Sequence, residues 1–190
     1  MRLELRPWRE DDAAALHEAY RRSPDLHVQL GGADLATVDL ARGHIGEHLL
    51  FTESSRHWAV VADGSAVGNV GLAAIERRHG TAWVHYWLAA EARGHGHASR
   101  ALAAVADDAF KDGLFRLELG HRVNNPASCA VALRAGFLRE GLERQKLRYG
   151  AARFDVETHA RLRTDPHPDL RPMRLLTRVT PAARGNTPRT

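Results

Sequence analysis

The clearest chemical signal in the chain is a short loop rich in glycine and histidine. Residues 93–99 read Arg-Gly-His-Gly-His-Ala-Ser and stand between a predicted strand and a predicted helix. Glycine lets a ligand approach the backbone closely, and successive amides at a helix N-terminus attract anions. The loop therefore predicts an anion cradle whose natural guest is a diphosphate, with a plain turn as the alternative. No Lys-Ser/Thr pair follows, which excludes a Walker loop.

A second motif follows about thirty residues later. It begins Asn125-Pro126-Ala127-Ser128 and, after five more residues, continues Arg134-Ala135-Gly136-Phe137. Asparagine is a favoured N-cap and proline is favoured at the first helical position, so a helix is expected to begin here. Gly136 fits the C-terminal end of that helix.

The elements that must position these motifs can be predicted from hydrophobic periodicity. Strands at 57–62, 67–75 and 82–88, joined by short turns, indicate an antiparallel meander. Such a meander does not fit the parallel unit of a dinucleotide-binding fold. The other expected strands are 3–7, 114–119, 137–141 and 152–162, and the expected helices are 13–20, 34–51 (weakened by Gly43 and Gly46), 98–111 and one from 125.

Composition and charge exclude several classes of protein. The chain has 190 residues, 44% apolar and 26% charged, which suits one globular domain. A single cysteine, Cys129, excludes a disulfide scaffold. Residues 1–160 hold 20 basic and 21 acidic side chains, so the net charge of +4 comes from the seven arginines after residue 160. We therefore expect a domain over 1–163, a flexible basic tail over 164–190, a cytoplasmic location, and neither nucleic acid nor membrane as partner.

The motifs together resemble the GCN5-related N-acetyltransferases. The matching residues are Tyr86-Trp87-Leu88, Arg93-x-x-Gly96-x-Ala98, Asn125-x-x-Ser128, Arg134-x-Gly136-Phe137 and Glu140-Gly141. The resemblance covers about residues 2–163 and is strongest to the branch of ribosomal-protein N-terminal acetyltransferases. It implies an α+β fold of the three-layer α/β sandwich type. Its mixed, mostly antiparallel seven-stranded sheet is flanked by about four helices and splayed between strands four and five, where acetyl-CoA lies.

The resemblance also implies roles for individual residues. The amides of the cradle would hold the pyrophosphate, the backbone of Trp87 and Leu88 would pair with the pantetheine arm, and Asn125 would hydrogen-bond it. Ser128 would lie near the sulfur and protonate the departing thiolate, with helix capping as its alternative role. The implied cradle residues are Arg93, Gly94, His95, Gly96, His97 and Ala98, with Ser99 at the start of the helix.

The general base is the point at which the sequence departs from the family. Positions where relatives carry a carboxylate hold Trp83 and Leu147, and the position of a tyrosine acid holds Ala132. His85 is the candidate replacement, since its ordinary pKa is near neutrality. A water relayed to His121 or Glu118 is a second route, and a merely packed histidine is the alternative for His85.

The expected function is transfer of an acetyl group from acetyl-CoA to a primary amine, which can belong to a protein N-terminus, a metabolite or an antibiotic. The alternatives are transfer of another acyl group such as succinyl and a CoA-binding module without activity. The sequence is compatible with a homodimer. No metal is expected, because His44 and His48 form a helical pair without an evident third ligand, and His95 and His97 are interpreted as loop residues that offer their amides. The acceptor pocket is expected from residues 25–53 and the last strands.

Overall fold

The computed structural model describes residues 2–176. Its eight strands form one mixed sheet in the order β6-β7-β5-β4-β3-β2-β1-β8. The strands are β1 (Leu3–Pro7), β2 (Arg56–Ala62), β3 (Ser65–Glu76), β4 (Thr81–Leu88), β5 (Arg116–Arg122), β6 (Leu138–Tyr149), β7 (Ala152–Leu162) and β8 (Arg174–Leu175). The helices are α1 (Ala13–Arg22), the single turn α2 (Leu26–Gln29), α3 (Val38–His48), α4 (His97–Lys111) and α5 (Pro126–Arg134), with 3-10 turns at Glu10–Asp12 and Ala90–Ala92.

The predicted meander is confirmed for strands β2 to β4. These strands pair antiparallel in sequence order. The β2–β3 hairpin turns at Asp63 and Gly64, both of which have positive φ angles, +47° and +91°. That conformation is the one the Asp-Gly pair favours in tight hairpins.

The sheet opens between β4 and β5, as the family resemblance implied. These two strands run parallel, but only Thr81, Ala82 and Trp83 of β4 pair with β5. The remaining halves, from His85 to Leu88 on β4 and from Leu119 to Arg122 on β5, diverge. A wedge-shaped gap in the middle of the sheet follows, and we call it the β4–β5 gap.

Helices cover both faces of the sheet, so the fold has three layers. The apolar face of α4 packs with Leu102 and Val105 on a core that also contains Val84 of β4. On the opposite face, α1 and α3 bury a second core around Leu16, Ile45 and Trp87. Because side chains alternate along a strand, neighbouring β4 residues face different helices. Gly43 and Gly46 lie within α3 and do not interrupt it.

One strand more is present than the seven expected. Residues 174–175 form β8, which pairs parallel with β1. Just before it, Met173 is buried, and the Arg100 guanidinium donates hydrogen bonds to the carbonyls of Arg171 and Pro172. The packed part of the chain thus extends past the boundary predicted at residue 163. The rest of the tail predicted over 164–190, from residue 177 onward, lies outside the described residues.

No helix within residues 2–176 has both the length and the apolar character that crossing a membrane requires.

Candidate active site

The glycine-rich loop presents an open set of backbone amides at the N-terminus of α4. Gly94 and Gly96 have φ angles of +79° and +74°, which glycine adopts without steric cost, and a Cβ at either position would meet no atom within 4 Å. Within residues 2–176, no protein acceptor takes a hydrogen bond from the amides between Gly94 and Ser99. These amides and the positive end of a 15-residue helix together make a site suited to an anion.

Side chains around the loop hold its shape and leave its amides free. The Arg93 side chain donates from Nε to the Leu88 carbonyl at 2.9 Å and from Nη2 to Asp25 at 3.0 Å. The His95 ring contacts the Arg93 carbonyl at 3.0 Å. His97 and Ser99 are buried beneath the loop, and burial lowers the pKa of His97. The loop is therefore anchored to β4 and to the start of α2.

The end of β4 offers a backbone donor to the gap. The Ala89 amide donates to the Val67 carbonyl of β3 at 2.9 Å. Because the backbone groups of successive residues point to opposite sides of a strand, the amide and carbonyl of Leu88 point away from β3. Leu88 thus faces the β4–β5 gap with its backbone. Trp87, by contrast, packs its side chain in the second core at 6.0 Å from Trp8, between ring centroids.

Ser128 and Tyr86 meet across the gap. The Tyr86 hydroxyl lies 2.6 Å from Ser128 Oγ and 3.2 Å from the Ser128 carbonyl, linking β4 to the first turn of α5. Burial raises the pKa of Tyr86 to about 12, so its hydroxyl stays protonated at neutral pH. Asn125 caps α5, since its Oδ1 accepts from the Ser128 amide at 3.1 Å. The capping is thus done by Asn125, which leaves the Ser128 hydroxyl for Tyr86.

His85 lies on the other face of β4, beside His57 of β2. Gly71 of β3 stands between them in register, and a Cβ there would come within 2.7 Å of His85 Nε2 and 2.8 Å of His57 Nδ1. The missing side chain is therefore what lets two imidazoles share this position, with ring centroids 5.1 Å apart. Burial lowers the pKa of His85, and burial together with the neighbouring histidines lowers that of His57 to about 4. Both rings are consequently neutral near pH 7.

The structure does not bring every predicted residue into one site. His85 and Ser128 lie on opposite sides of the sheet, one toward α1 and α3 and the other toward α4 and α5. Glu118 is held by Arg116 at 2.6 Å. His121 lies against His159, with 3.1 Å between their Nε2 atoms. His44 and His48 face one another on α3 with ring centroids 4.9 Å apart, and no third ligand joins them among the described residues.

Sequence reasoning missed two residues of this region. The sequence pattern included Tyr86 only as part of the Tyr-Trp-Leu motif. Its hydroxyl, two residues before the end of β4, could have indicated a hydrogen-bond donor at the β4–β5 gap. His57 could have been found only from the register of three strands, because its neighbour His85 is 28 positions away in the chain.

Comparisons with known proteins agree with this geometry. The family described as acetyltransferase (GNAT) domain matches residues 2–138. The ribosomal-protein-serine acetyltransferase of Escherichia coli K12 is 33% identical over 109 residues, which is 57% of this chain and 61% of that protein. The chain thus spans less than two thirds of the length of that curated relative.

Two solved structures share the fold over 85% of the chain. RimL, a ribosomal L7/L12 alpha-N-protein acetyltransferase in complex with coenzyme A, aligns with a TM-score of 0.76 and 26% identity over 94% of its own chain. Mycobacterium smegmatis RimJ in complex with CoA-disulfide aligns with a TM-score of 0.70 and 28% identity over 82% of its chain. Sequence, fold and the open amide loop lead to one conclusion: this chain belongs to the GNAT acetyltransferase family.

Proposed function

We propose that the protein transfers an acetyl group from acetyl-CoA to a primary amine within a ternary complex. The observation that carries this proposal is the loop of free amides at residues 94–99, which opens beside the β4–β5 gap. A nucleotide diphosphate needs such donors, and a thioester needs a cleft that gives an amine access from the far side. Both features occur together here.

In this proposal, cofactor binding uses mainly the backbone. The loop amides bind the pyrophosphate, and the Leu88 amide pairs with the pantetheine arm as a neighbouring strand would, while the Leu88 carbonyl already accepts from Arg93 Nε. Asn125 contributes its side-chain amide nitrogen to pantetheine, because its Oδ1 already caps α5. RimL in complex with coenzyme A and RimJ in complex with CoA-disulfide support this choice of cofactor.

The proposed chemistry follows from the positions of His85 and Ser128 on opposite faces of the sheet. The neutral amine attacks the thioester carbonyl carbon from the α1–α3 side, and a backbone N–H at the end of β4 stabilises the oxyanion. The C–S bond then breaks, and the amide product and a CoA thiolate form. The amine loses its proton to His85, directly or through water, while the thiolate takes a proton from the Ser128–Tyr86 pair.

A protein N-terminus is the acceptor we test first. The E. coli relative is named for ribosomal-protein serine acetylation, and RimL is named for ribosomal L7/L12. The carboxylates of that branch are replaced here by Trp83 and Leu147, so a small-molecule amine remains the second candidate acceptor.

The decisive experiment measures thiol release from acetyl-CoA by the purified full chain. The acceptors are an N-terminal L7/L12 peptide, a polyamine and an amino sugar, and succinyl-CoA is compared as donor. We expect turnover with acetyl-CoA and at least one amine. CoA binding measured by calorimetry without transfer to any acceptor would favour the inactive module.

A charge substitution in the loop tests the cofactor site. Gly96→Glu places a carboxylate in open space at the loop, where it repels a diphosphate, and we expect CoA affinity to fall at least 100-fold. Gly113→Glu is the matched control, because Gly113 ends the same helix with a φ of +95° and open space at its Cβ. Equal CoA affinity in both variants would contradict the assignment of the loop.

A further inference from the structure

Four side chains with metal-binding atoms converge beneath α5, apart from the acetyl-transfer chemistry proposed above. They are His121 of β5, Cys129 of α5, and Glu157 and His159 of β7, and one ligand atom of each lies within 4.8 Å of the others. Nε2 of His159 is 3.1 Å from Nε2 of His121 and 3.0 Å from Glu157 Oε1. Cys129 Sγ lies 3.4 Å from the same Oε1, and His121 Nε2 lies 3.6 Å from it.

Strand register builds this cluster. His121 and Glu157 are direct partners in the antiparallel β5–β7 pair, and His159 follows two residues later on the same face. α5 then lays Cys129 over the three. The His159 and His121 side chains are 0% and 5% exposed, and Glu157 is 12% exposed. The two imidazoles and the carboxylate are therefore largely shielded from water, while Cys129 is half-buried above them.

Hydrogen bonds to the far nitrogens fix which atoms of the imidazoles face inward. His121 Nδ1 lies 3.0 Å from the Arg122 carbonyl and His159 Nδ1 lies 3.3 Å from the Phe137 carbonyl. A carbonyl oxygen can only accept, so each ring donates its Nδ1–H there. Both Nε2 atoms then face each other and a carboxylate oxygen. A proton or a metal cation held between these atoms relieves their repulsion, and the outward Nδ1–H bonds are the orientation in which histidine ligands commonly face metals.

We propose that His121, Cys129, Glu157 and His159 bind one zinc ion. Around a tetrahedral zinc with ligands at about 2.0–2.3 Å, neighbouring ligand atoms lie roughly 3.3–3.6 Å apart, close to the separations seen here. Nitrogen, sulfur and oxygen donors in a closed set of four suit a structural zinc site. Binding releases the Cys129 thiol proton to solvent, and thiolate plus carboxylate then balance the two charges of the ion.

The zinc ion would fasten α5 to the sheet. Cys129 is adjacent to Ser128, so a metal bond at residue 129 fixes the helix turn that carries the Ser128 hydroxyl. The other carboxylate oxygen of Glu157 is held by Arg139 at 2.9 Å, which orients Oε1 toward the cluster. This inference does not depend on the proposed function, because metal binding is measured without any acyl donor.

The test uses the full chain without an affinity tag, stripped of metal by a chelator and dialysed. Zinc is titrated against a chromophoric competitor, and bound metal is counted by mass spectrometry. We expect one zinc per chain. Cobalt(II) is then added as a spectroscopic probe, and we expect the intense visible bands of tetrahedral cobalt with a thiolate-to-cobalt charge-transfer band. Because the chain has a single cysteine, that band reports Cys129 alone.

Two sets of variants test whether zinc binds at the proposed cluster and not at other histidines. Cys129→Ser should abolish the charge-transfer band and weaken zinc binding by at least about tenfold, and His121→Gln should weaken it likewise. His44→Ala combined with His48→Ala removes a histidine pair on α3, one half-buried and one exposed, and should leave zinc binding unchanged. Substoichiometric metal, octahedral cobalt spectra, or equal affinity in Cys129→Ser would overturn the proposal and leave the cluster a hydrogen-bond network.

Discussion

At the scale of single residues, Tyr86 and Ser128 share a hydrogen bond, so the acid that we propose for the departing thiolate consists of two linked hydroxyls. The 2.6 Å separation allows a proton lost by Ser128 to be replaced at once from Tyr86, whose pKa is raised to about 12 by burial. Such a relay acts as one unit, so its two members should not contribute independently to the rate.

We expect Ser128→Ala and Tyr86→Phe each to lower kcat roughly 100-fold with little change in CoA affinity. The double variant should be nearly the same as either single variant. Ser65→Ala, at the exposed β2–β3 hairpin, is the control and should keep wild-type kcat. Steady-state kinetics and CoA calorimetry make the comparison, and unchanged kcat in both single variants would leave these hydroxyls with a packing role.

If His85 is the base, its protonation state should make the reaction rate depend on pH. A base must be neutral, and burial lowers the pKa of His85, so the rate should rise with pH through a midpoint below 6.5. His85→Gln should remove that rise and lower kcat roughly 100-fold at pH 7.5. Wild type and variant are compared with the same amine, so that titration of the acceptor cancels. A constant ratio of their rates from pH 5 to pH 8 would exclude His85 as the base.

How much of the site could be predicted from sequence also differs from residue to residue. The loop at 93–99 and the Asn125 cap are local, because spacing along the chain alone determines their form, and the structure places both as expected. The His57–His85 pair and the His121–His159 pair are non-local. Each depends on strand register, which a single sequence does not reveal. The expectation of no metal weighed the helical pair His44 and His48 and the loop residues His95 and His97, and not residues that meet only through strand register.

At the scale of elements, the entry from β1 into α1 depends on one buried ion pair. Arg6 of β1 donates two hydrogen bonds to Asp12, at 2.6 Å and 2.7 Å, and the Arg9 amide donates to Asp12 as well. Both charged side chains are only 8% exposed. Acidic residues commonly precede a helix as partners of its dipole, and here Asp12 has the larger role of balancing a buried arginine.

We expect Asp12→Ala to lower the free energy of unfolding by roughly 3–5 kcal/mol, since it leaves a buried guanidinium without its counter-charge. Asp39→Ala is the matched control, because Asp39 pairs with Arg42 on an exposed face and its side chain is 90% exposed. We expect a loss of no more than about 1 kcal/mol there. Urea denaturation followed by circular dichroism measures both, and equal losses would contradict the role of the buried pair.

Most elements of the sheet could be predicted from alternation and turn residues, but β8 could not. It has only two residues, Arg174 and Leu175, in a stretch without periodicity. Its formation depends on Met173 finding a place in the core and on α4 offering Arg100 to the backbone of Arg171 and Pro172. Such contacts between distant parts of a chain leave no local pattern.

At the scale of the whole molecule, residues 164–176 should contribute to the stability of the folded domain. A chain stopped after residue 163 loses β8 and buried Met173, and we expect its Tm to fall by roughly 5–15 °C. A chain stopped after residue 176 keeps every contact described above and should match the full chain. Differential scanning calorimetry compares the three, and identical Tm values would restore the boundary predicted at residue 163.

The pairing of β1 with β8 places the beginning and the end of the described chain side by side, with the Leu176 amide donating to the Leu5 carbonyl at 2.8 Å. During synthesis β1 emerges first, yet its outer edge is completed only after some 170 further residues have been made. The nascent protein therefore exposes an unpaired strand edge until β8 has been made, and exposed edges invite pairing with other chains. Translation that slows or stalls before β8 has been made is the condition under which this protein should aggregate most.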